Sequence, residues 1–179
     1  MKRVFLFVPL ILVVVLGIVL FAGIGKDPTR LESALIGKTV PAFTLDDLEQ
    51  PGTKLDAGVF QGQVSLLNVW GTWCPACRDE HDDLLWLAQE QGVRIIGLNY
   101  KDNREDALVW LERLGNPYER TIYDPKGTLG FDLGVYGAPE TYVIDTDGVV
   151  RYRHVGVVNE KVWKEDLEPL VKQYREDAS

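Results

Sequence analysis

An α/β domain with a partly parallel central sheet, carried behind a single N-terminal apolar helix, is the architecture this sequence predicts, and three observations carry it. Residues 64–70 form a nearly continuous apolar run, as expected of a strand buried on both faces. Helical periodicity follows at once, then a second apolar run and a second helical stripe, so that strands and helices alternate. Near the C-terminus, Asp147-Gly148 separates two further strand-like runs, a strong hairpin signal. The chain has 179 residues, 46% hydrophobic and 26% charged, enough for one globular domain with a substantial core. A formal charge of -8 leaves no clustered Lys and Arg to neutralise a phosphate backbone, so a nucleic-acid partner is excluded.

Lys2 and Arg3 precede an uncharged apolar run from residue 4 to residue 24. A helix needs roughly 20 apolar residues to cross the hydrocarbon core, whereas the apolar part of a secretory signal is usually shorter. No good small-x-small cleavage site follows, and Gly23-Ile24-Gly25 is a poor one, so residues 1–24 read as an uncleaved signal anchor, a single transmembrane helix. The positive-inside rule keeps Lys2 and Arg3 cytoplasmic. The chain from Gly25 onward then faces the periplasm of a bacterium, anchored in the inner membrane. Residues 25–38, with Pro28, Gly37 and several charges, read as a linker, and residues 39–179 as the folded domain.

Residues 40–46 and 54–60 supply an N-terminal β-hairpin extension. The strand at 64–70 leads to a helix from Pro75, whose Cys77, His81, Leu84, Leu85 and Ala88 share one face and which closes at Gly92. A second strand at 93–99 and a helix at 104–114, with Ala107, Leu108, Leu111 and Leu114 on one stripe and Gly115 as its stop, complete a right-handed crossover unit. Residues 116–127 read as loop-rich, through Asn116-Pro117, Asp124-Pro125 and Lys126-Gly127. Strands at 141–144 and 149–155 flank the Asp147-Gly148 turn. A last helix starts near Asn159, and Pro169 kinks or restarts it, having no N–H to donate.

The two cysteines of the chain stand three positions apart in Trp73-Cys74-Pro75-Ala76-Cys77, at the start of the first helix. A bridge closing so small a loop stabilises by only about 2 kcal/mol, which makes a purely structural disulfide a weak explanation. A zinc site would need two further ligands, and beyond carboxylates only His81 and His154 exist. Covalent haem attachment would need His after Cys77, where Arg78 stands. Thiol-disulfide exchange remains, with the cysteine pair itself as redox group and no metal or other cofactor. The thiolate is the nucleophile, and Cys74 at a helix N-terminus faces free N–H groups and the positive dipole end that stabilise it. Cys77, one turn further in, should be less exposed. Cys74 therefore attacks, and Cys77 resolves the mixed disulfide.

Strand, Cys-x-x-Cys at a helix start, helix, strand, helix, hairpin and closing helix is the order of the thioredoxin fold. From residue 40 to about residue 174 the chain also resembles the membrane-anchored periplasmic thioredoxin-like proteins of cytochrome c maturation, the CcmG or DsbE family. The matching stretches are Leu67-Asn68-Val69-Trp70-Gly71-Thr72-Trp73-Cys74-Pro75-Ala76-Cys77-Arg78, Gly97-Leu98-Asn99-Tyr100-Lys101-Asp102, and Gly134-Val135-Tyr136-Gly137-Ala138-Pro139-Glu140-Thr141. The last is the most specific. The resemblance implies a cis-proline at Pro139 against Cys74, with the backbone of Ala138 pairing an extended substrate by strand addition. It implies an acidic residue at Glu140. It also implies a dithiol reductant for apocytochrome c, or for another cytochrome c maturation protein, recharged by a membrane thiol-disulfide carrier of the DsbD or CcdA kind.

Thioredoxin itself carries a buried Asp in the strand before its cysteines, where this chain has Asn68, which cannot titrate. A proton relay must come from elsewhere, and Glu80, one turn beyond Cys77, and Glu140 are the candidates. His81 reads as a satisfied core histidine, Trp70 as core, and Trp73 as a border of the substrate-binding surface. Two other functions compete. A general periplasmic dithiol oxidase would have a strongly oxidising potential, near about -120 mV. A non-catalytic apocytochrome-binding module would work without either cysteine.

Overall fold

A computed structural model describes residues 12–14, 16–18 and 34–177. The chain divides into two units, residues 1–31 and 32–179, each considered by itself. In the first, residues 12–14 and 16–18 are helical. The rest of the expected signal anchor, and residues 25–33 of the expected linker, lie outside the described residues. Among the described residues no helix is long and apolar enough to cross a membrane.

The second unit is built on strands β1 (Thr44–Asp47), β2 (Lys54–Asp56), β3 (Ser65–Trp70), β4 (Ile95–Tyr100), β5 (Arg120–Asp124), β6 (Glu140–Ile144) and β7 (Val150–Val155). They form one sheet in the order β2-β1-β5-β4-β3-β6-β7. β3 runs parallel to β4, and β4 to β5, while the other pairs are antiparallel. Every residue of β3 and β4 is buried, which is why the sequence shows continuous apolar runs there rather than alternation. The pleat sends Leu66, Trp70 and Ile95 into one core and Leu67, Val69, Ile96 and Leu98 into the other. Each fully buried leucine of this kind contributes about 1.5–3 kcal/mol over its exposed state.

The helices are α1 (Pro75–Asp79), α2 (His81–Gln89), α3 (Arg104–Leu114), α4 (Thr128–Leu133), α5 (Glu160–Val162) and α6 (Glu168–Glu176). α3 has the expected bounds: Asn103 Oδ1 accepts from the N–H groups of Glu105 and Asp106, and Gly115 ends it at φ 92°. A π-helical turn, Trp163–Leu167, joins α5 to α6, so the helix restarts with Pro169 in its first turn, where the missing N–H costs nothing. At the Asp147-Gly148 hairpin, Asp145 Oδ1 accepts from the N–H groups of Asp147 and Val149.

Three expectations are corrected. The helix expected to run unbroken from Pro75 to Gly92 divides at Glu80, whose backbone sits at φ -88°, ψ -9° while its side chain turns into the interior. Residues 116–127 are not simply loop: they contain β5, and α4 follows. The cap of α4 comes from the end of β5, since Asp124 accepts from the N–H groups of Thr128 and Gly130 while the residue at the cap position, Gly127, has no side chain to offer. The N-terminal hairpin is shorter than expected, with residues 57–60 forming a 3₁₀ turn, and it is not an appendage. β1 pairs with β5, and Arg120 holds Asp47 at 2.7 Å, so the hairpin extends the main sheet.

Candidate active site

The parallel strands end beside Cys74. The turn between β3 and α1 is tied to the end of β4 at two points. Asp102 Oδ2 accepts from Thr72 N–H at 2.7 Å and Asp102 Oδ1 from the Thr72 hydroxyl at 2.6 Å, while the Trp73 indole N–H donates to the Tyr100 carbonyl at 3.0 Å. A Cβ at position 71 would lie 2.4 Å from Trp73 Nε1, so Gly71 is the residue that lets the indole fold back. Trp73 remains half exposed at the rim. Asp102 closes the stretch Gly97-Leu98-Asn99-Tyr100-Lys101-Asp102, and its anchoring role is one the sequence reasoning missed. The usable signal was Asn99-x-x-Asp102 straight after a strand, since Asn99 Nδ2 also donates to Asp102 Oδ2.

Cys74 is the N-cap of α1, followed by Pro75, and its Sγ accepts the Cys77 N–H at 3.1 Å. The two cysteines form a disulfide. Cys74 Sγ also lies 3.3 Å from the Ala138 carbonyl oxygen, and the Ala138-Pro139 peptide bond is cis. Cys74, Cys77, Trp73, Ala138 and Pro139 are thus drawn to the same end of the sheet. One expectation fails here: Cys74 is not the more exposed thiol, because the two residues are 2% and 3% exposed. The loop ahead of β6, whose Ala138 carbonyl meets Cys74 Sγ, lies over Cys74, which is as hidden as Cys77 in the core. The asymmetry between them rests on the helix end, which offers its N–H to Cys74.

Glu80 is completely buried on the cysteine side of the sheet. Its Oε1 accepts from Asn68 Nδ2 and its Oε2 from the Val158 N–H, both at 2.8 Å. Burial pushes this carboxyl up to about 7, against the pull of its two donors. Asn68 in turn donates to Thr141 Oγ1 at 3.1 Å and accepts from the Tyr118 hydroxyl at 2.9 Å. Tyr118, itself buried, stacks on Trp70 with ring centroids 5.5 Å apart. His81 is the satisfied core histidine expected. One ring nitrogen meets the Gly115 carbonyl at 3.0 Å, the other accepts from Trp110 Nε1 at 3.4 Å, and burial holds its pKa below the usual value.

Glu140 is just as buried but faces the other way. It pairs with Val69 across β3 and β6, so it shares the side of Leu67 and Tyr142, opposite Asn68 and Glu80. Its Oε2 accepts from the Tyr142 hydroxyl at 2.7 Å and lies 2.8 Å from an Arg153 terminal nitrogen, and its Oε1 accepts from the Tyr136 N–H at 3.3 Å. Arg153 also donates to the Gly134 carbonyl and stacks over the Tyr136 ring. The two carboxylates therefore do not form one relay. Glu140 ties down the loop that carries Ala138 and Pro139, and Glu80 stands behind the cysteines.

A disulfide at a helix N-terminus, faced by a cis-proline loop that leads into β6 of this sheet, defines the class: a thiol-disulfide oxidoreductase of the thioredoxin fold. Residues 35–170 match the Redoxin family model. The chain is 54% identical to the thiol:disulfide interchange protein DsbE of Yersinia pestis, over 97% of this chain and 95% of that one. It is 50% identical to DsbE of Escherichia coli K12 over the full length of both. Among solved structures, a secreted thiol-disulfide isomerase from Corynebacterium glutamicum superposes with a TM-score of 0.66 at 30% identity, covering 82% of this chain and 96% of that one. The chain belongs to the DsbE (CcmG) family of redoxins.

Proposed function

We propose that this oxidoreductase is the dithiol reductant of periplasmic c-type cytochrome maturation, held at the inner membrane by its N-terminal segment. Its substrate is a disulfide of apocytochrome c or of a maturation protein. The Cys74 thiolate attacks one sulfur of that disulfide, and the sulfur it displaces leaves as a thiolate and takes up a proton. Cys77 then loses its proton and attacks Cys74 Sγ, which closes the Cys74–Cys77 disulfide and frees the second substrate sulfur, also protonated from solvent. Two electrons pass to the substrate. A membrane thiol-disulfide carrier of the DsbD or CcdA kind returns them, and no cofactor beyond the cysteine pair takes part.

The observation that carries the reductant reading is Glu80. It is buried on the cysteine side and lies three residues beyond Cys77, a spacing that puts side chains about 5–6 Å apart at Cβ across a regular helical turn. A carboxyl that titrates about 7 can accept the Cys77 proton when the mixed disulfide resolves. Once ionised, it opposes thiolate formation nearby, which weakens the dithiol form and favours giving electrons away. Trp73 borders the substrate surface, the Ala138 backbone pairs with an extended substrate, and Pro139 offers no N–H to compete there.

The test is to express Cys77→Ser protein in a host making c-type cytochromes, quench with acid, and identify what is covalently attached. Apocytochrome c or a maturation protein on Cys74 is the expected result. A broad set of periplasmic proteins would instead mark a general oxidase. Maturation supported by a double Cys74→Ala, Cys77→Ala variant would mark a binding module.

A further inference from the structure

We propose that Tyr118 is a positioning residue that holds the Asn68 carboxamide with its N–H toward Glu80, and that a flip of this amide lets the same cluster accommodate a protonated Glu80. The inference rests on the reading of Glu80 as the proton acceptor of the exchange.

The partners determine the orientation. Glu80 is met by two donors, Asn68 Nδ2 on one oxygen and the Val158 N–H on the other, each at 2.8 Å. The Tyr118 hydroxyl donates to Asn68 Oδ1 at 2.9 Å, and Asn68 Nδ2 also donates to Thr141 Oγ1 at 3.1 Å. Each of these bonds suits an ionised Glu80. Asn68, Glu80 and Thr141 are 0% exposed and Tyr118 is buried, so a lost partner is not replaced by bulk water.

When Glu80 takes a proton, its new O–H faces the Asn68 N–H, and two donors meet. Rotation of the Asn68 amide by half a turn resolves the conflict. Oδ1 then accepts from the Glu80 O–H, and the Thr141 hydroxyl, which can donate or accept, donates to the same oxygen. Nδ2 donates to the Tyr118 oxygen. Two hydrogens are left worse off: the Tyr118 hydroxyl hydrogen, whose partner in the observed cluster is Asn68 Oδ1, and the Nδ2 hydrogen that Thr141 Oγ1 accepts there. Without the Tyr118 hydroxyl, Oδ1 lacks its donor before the flip and Nδ2 its acceptor after it, so Tyr118 itself accounts for about one hydrogen bond of the bias toward ionised Glu80.

The other charges that reach Glu80 are few. Asp83, on α2, raises its pKa, and it is itself raised by burial and by Asp82 and Glu160. Tyr118, the ionisable group on the far side of Asn68, stays protonated because burial lifts it well above its ordinary value. The Cys74–Cys77 disulfide does not titrate.

The experiment is a carbon-13 titration of the Glu80 carboxyl in the oxidised full-length protein, its resonance assigned by its loss in Glu80→Gln. In Tyr118→Phe this share of the bias is gone, and the Glu80 midpoint should rise by about one pH unit. A midpoint that stays put or falls in a folded Tyr118→Phe protein overturns the proposal. In the wild type, the Asn68 side-chain N–H protons should lose proximity to Glu80 and gain it to the Tyr118 ring as the pH falls through the Glu80 midpoint. Unchanged proximities overturn the proposal even where the variant does not fold. The pH profile of partner reduction by Glu80→Gln tests the underlying reading separately. A profile identical to wild type removes Glu80 from the proton transfer, while the Tyr118→Phe titration still decides whether the amide flips.

Discussion

Replacing Glu80 with Gln removes a buried acid while keeping the side chain's size, and the consequence for stability has a definite sign. In the fold this carboxyl titrates at about 7, raised by burial from 4.5. Burial outweighs the two donors that favour the ionised form, so relative to the unfolded chain the fold favours the protonated carboxyl. The contribution is fully present below the unfolded pKa and is lost as pH rises through the folded value. A gap of roughly two and a half pH units corresponds to about 3 kcal/mol lost between pH ~4 and pH ~8. Glu80→Gln lacks this slope. Its amide leaves one donor pair mismatched, at Val158 or at Asn68, but that is an offset independent of pH. Urea unfolding of the two oxidised proteins across this range isolates the difference, because His81 contributes equally to both. The variant should gain about 3 kcal/mol on the wild type as pH rises, or several degrees in Tm for a domain of this size. Parallel curves would refute the reasoning, since they would mean that Glu80 titrates alike in the folded and unfolded chains.

Two further outcomes follow from contacts around the site. Arg153→Met leaves Glu140 buried and unpaired, from an ion pair whose side chains are 5% and 0% exposed; it should destabilise by about 3–5 kcal/mol in chemical unfolding, and adding Glu140→Gln should recover part of the loss. Gly130→Ala would place a Cβ 2.3 Å from the Tyr100 ring and should cost about 1–3 kcal/mol of unfolding free energy in urea, whereas Gly137→Ala, with nothing within 4 Å, should leave unfolding unchanged.

What the sequence made legible follows from the range of the forces involved. α3 was readable because its cap, apolar stripe and stop glycine all lie within the helix or beside it. The position of Cys74 was readable for the same reason, with Pro75 fixing the helix start. β5 was missed because it is short and bounded by charged residues, Arg120 and Asp124, which read as loop although Arg120 pairs with the distant Asp47 and Asp124 caps the following α4. The break at Glu80 and the opposed directions of Glu80 and Glu140 depend on which face of β3 and β6 each side chain meets, which no local window contains. The exposure of Cys74 was misjudged because what lies over it, the Ala138 carbonyl, comes from 64 residues further along the chain, which no local window contains. For residues 1–24 the hydropathy argument stands on the sequence, since most of them lie outside the described residues.

The central claim is that Cys74, at the helix N-terminus, is the attacking thiolate and Cys77 the resolving thiol. Its most direct test is to reduce the protein, expose it near neutral pH to less iodoacetamide than there is protein, and map the modified cysteine by mass spectrometry. The account predicts alkylation at Cys74 with Cys77 spared, because the N–H donors of α1 stabilise the Cys74 thiolate. Preferential alkylation of Cys77 would contradict it.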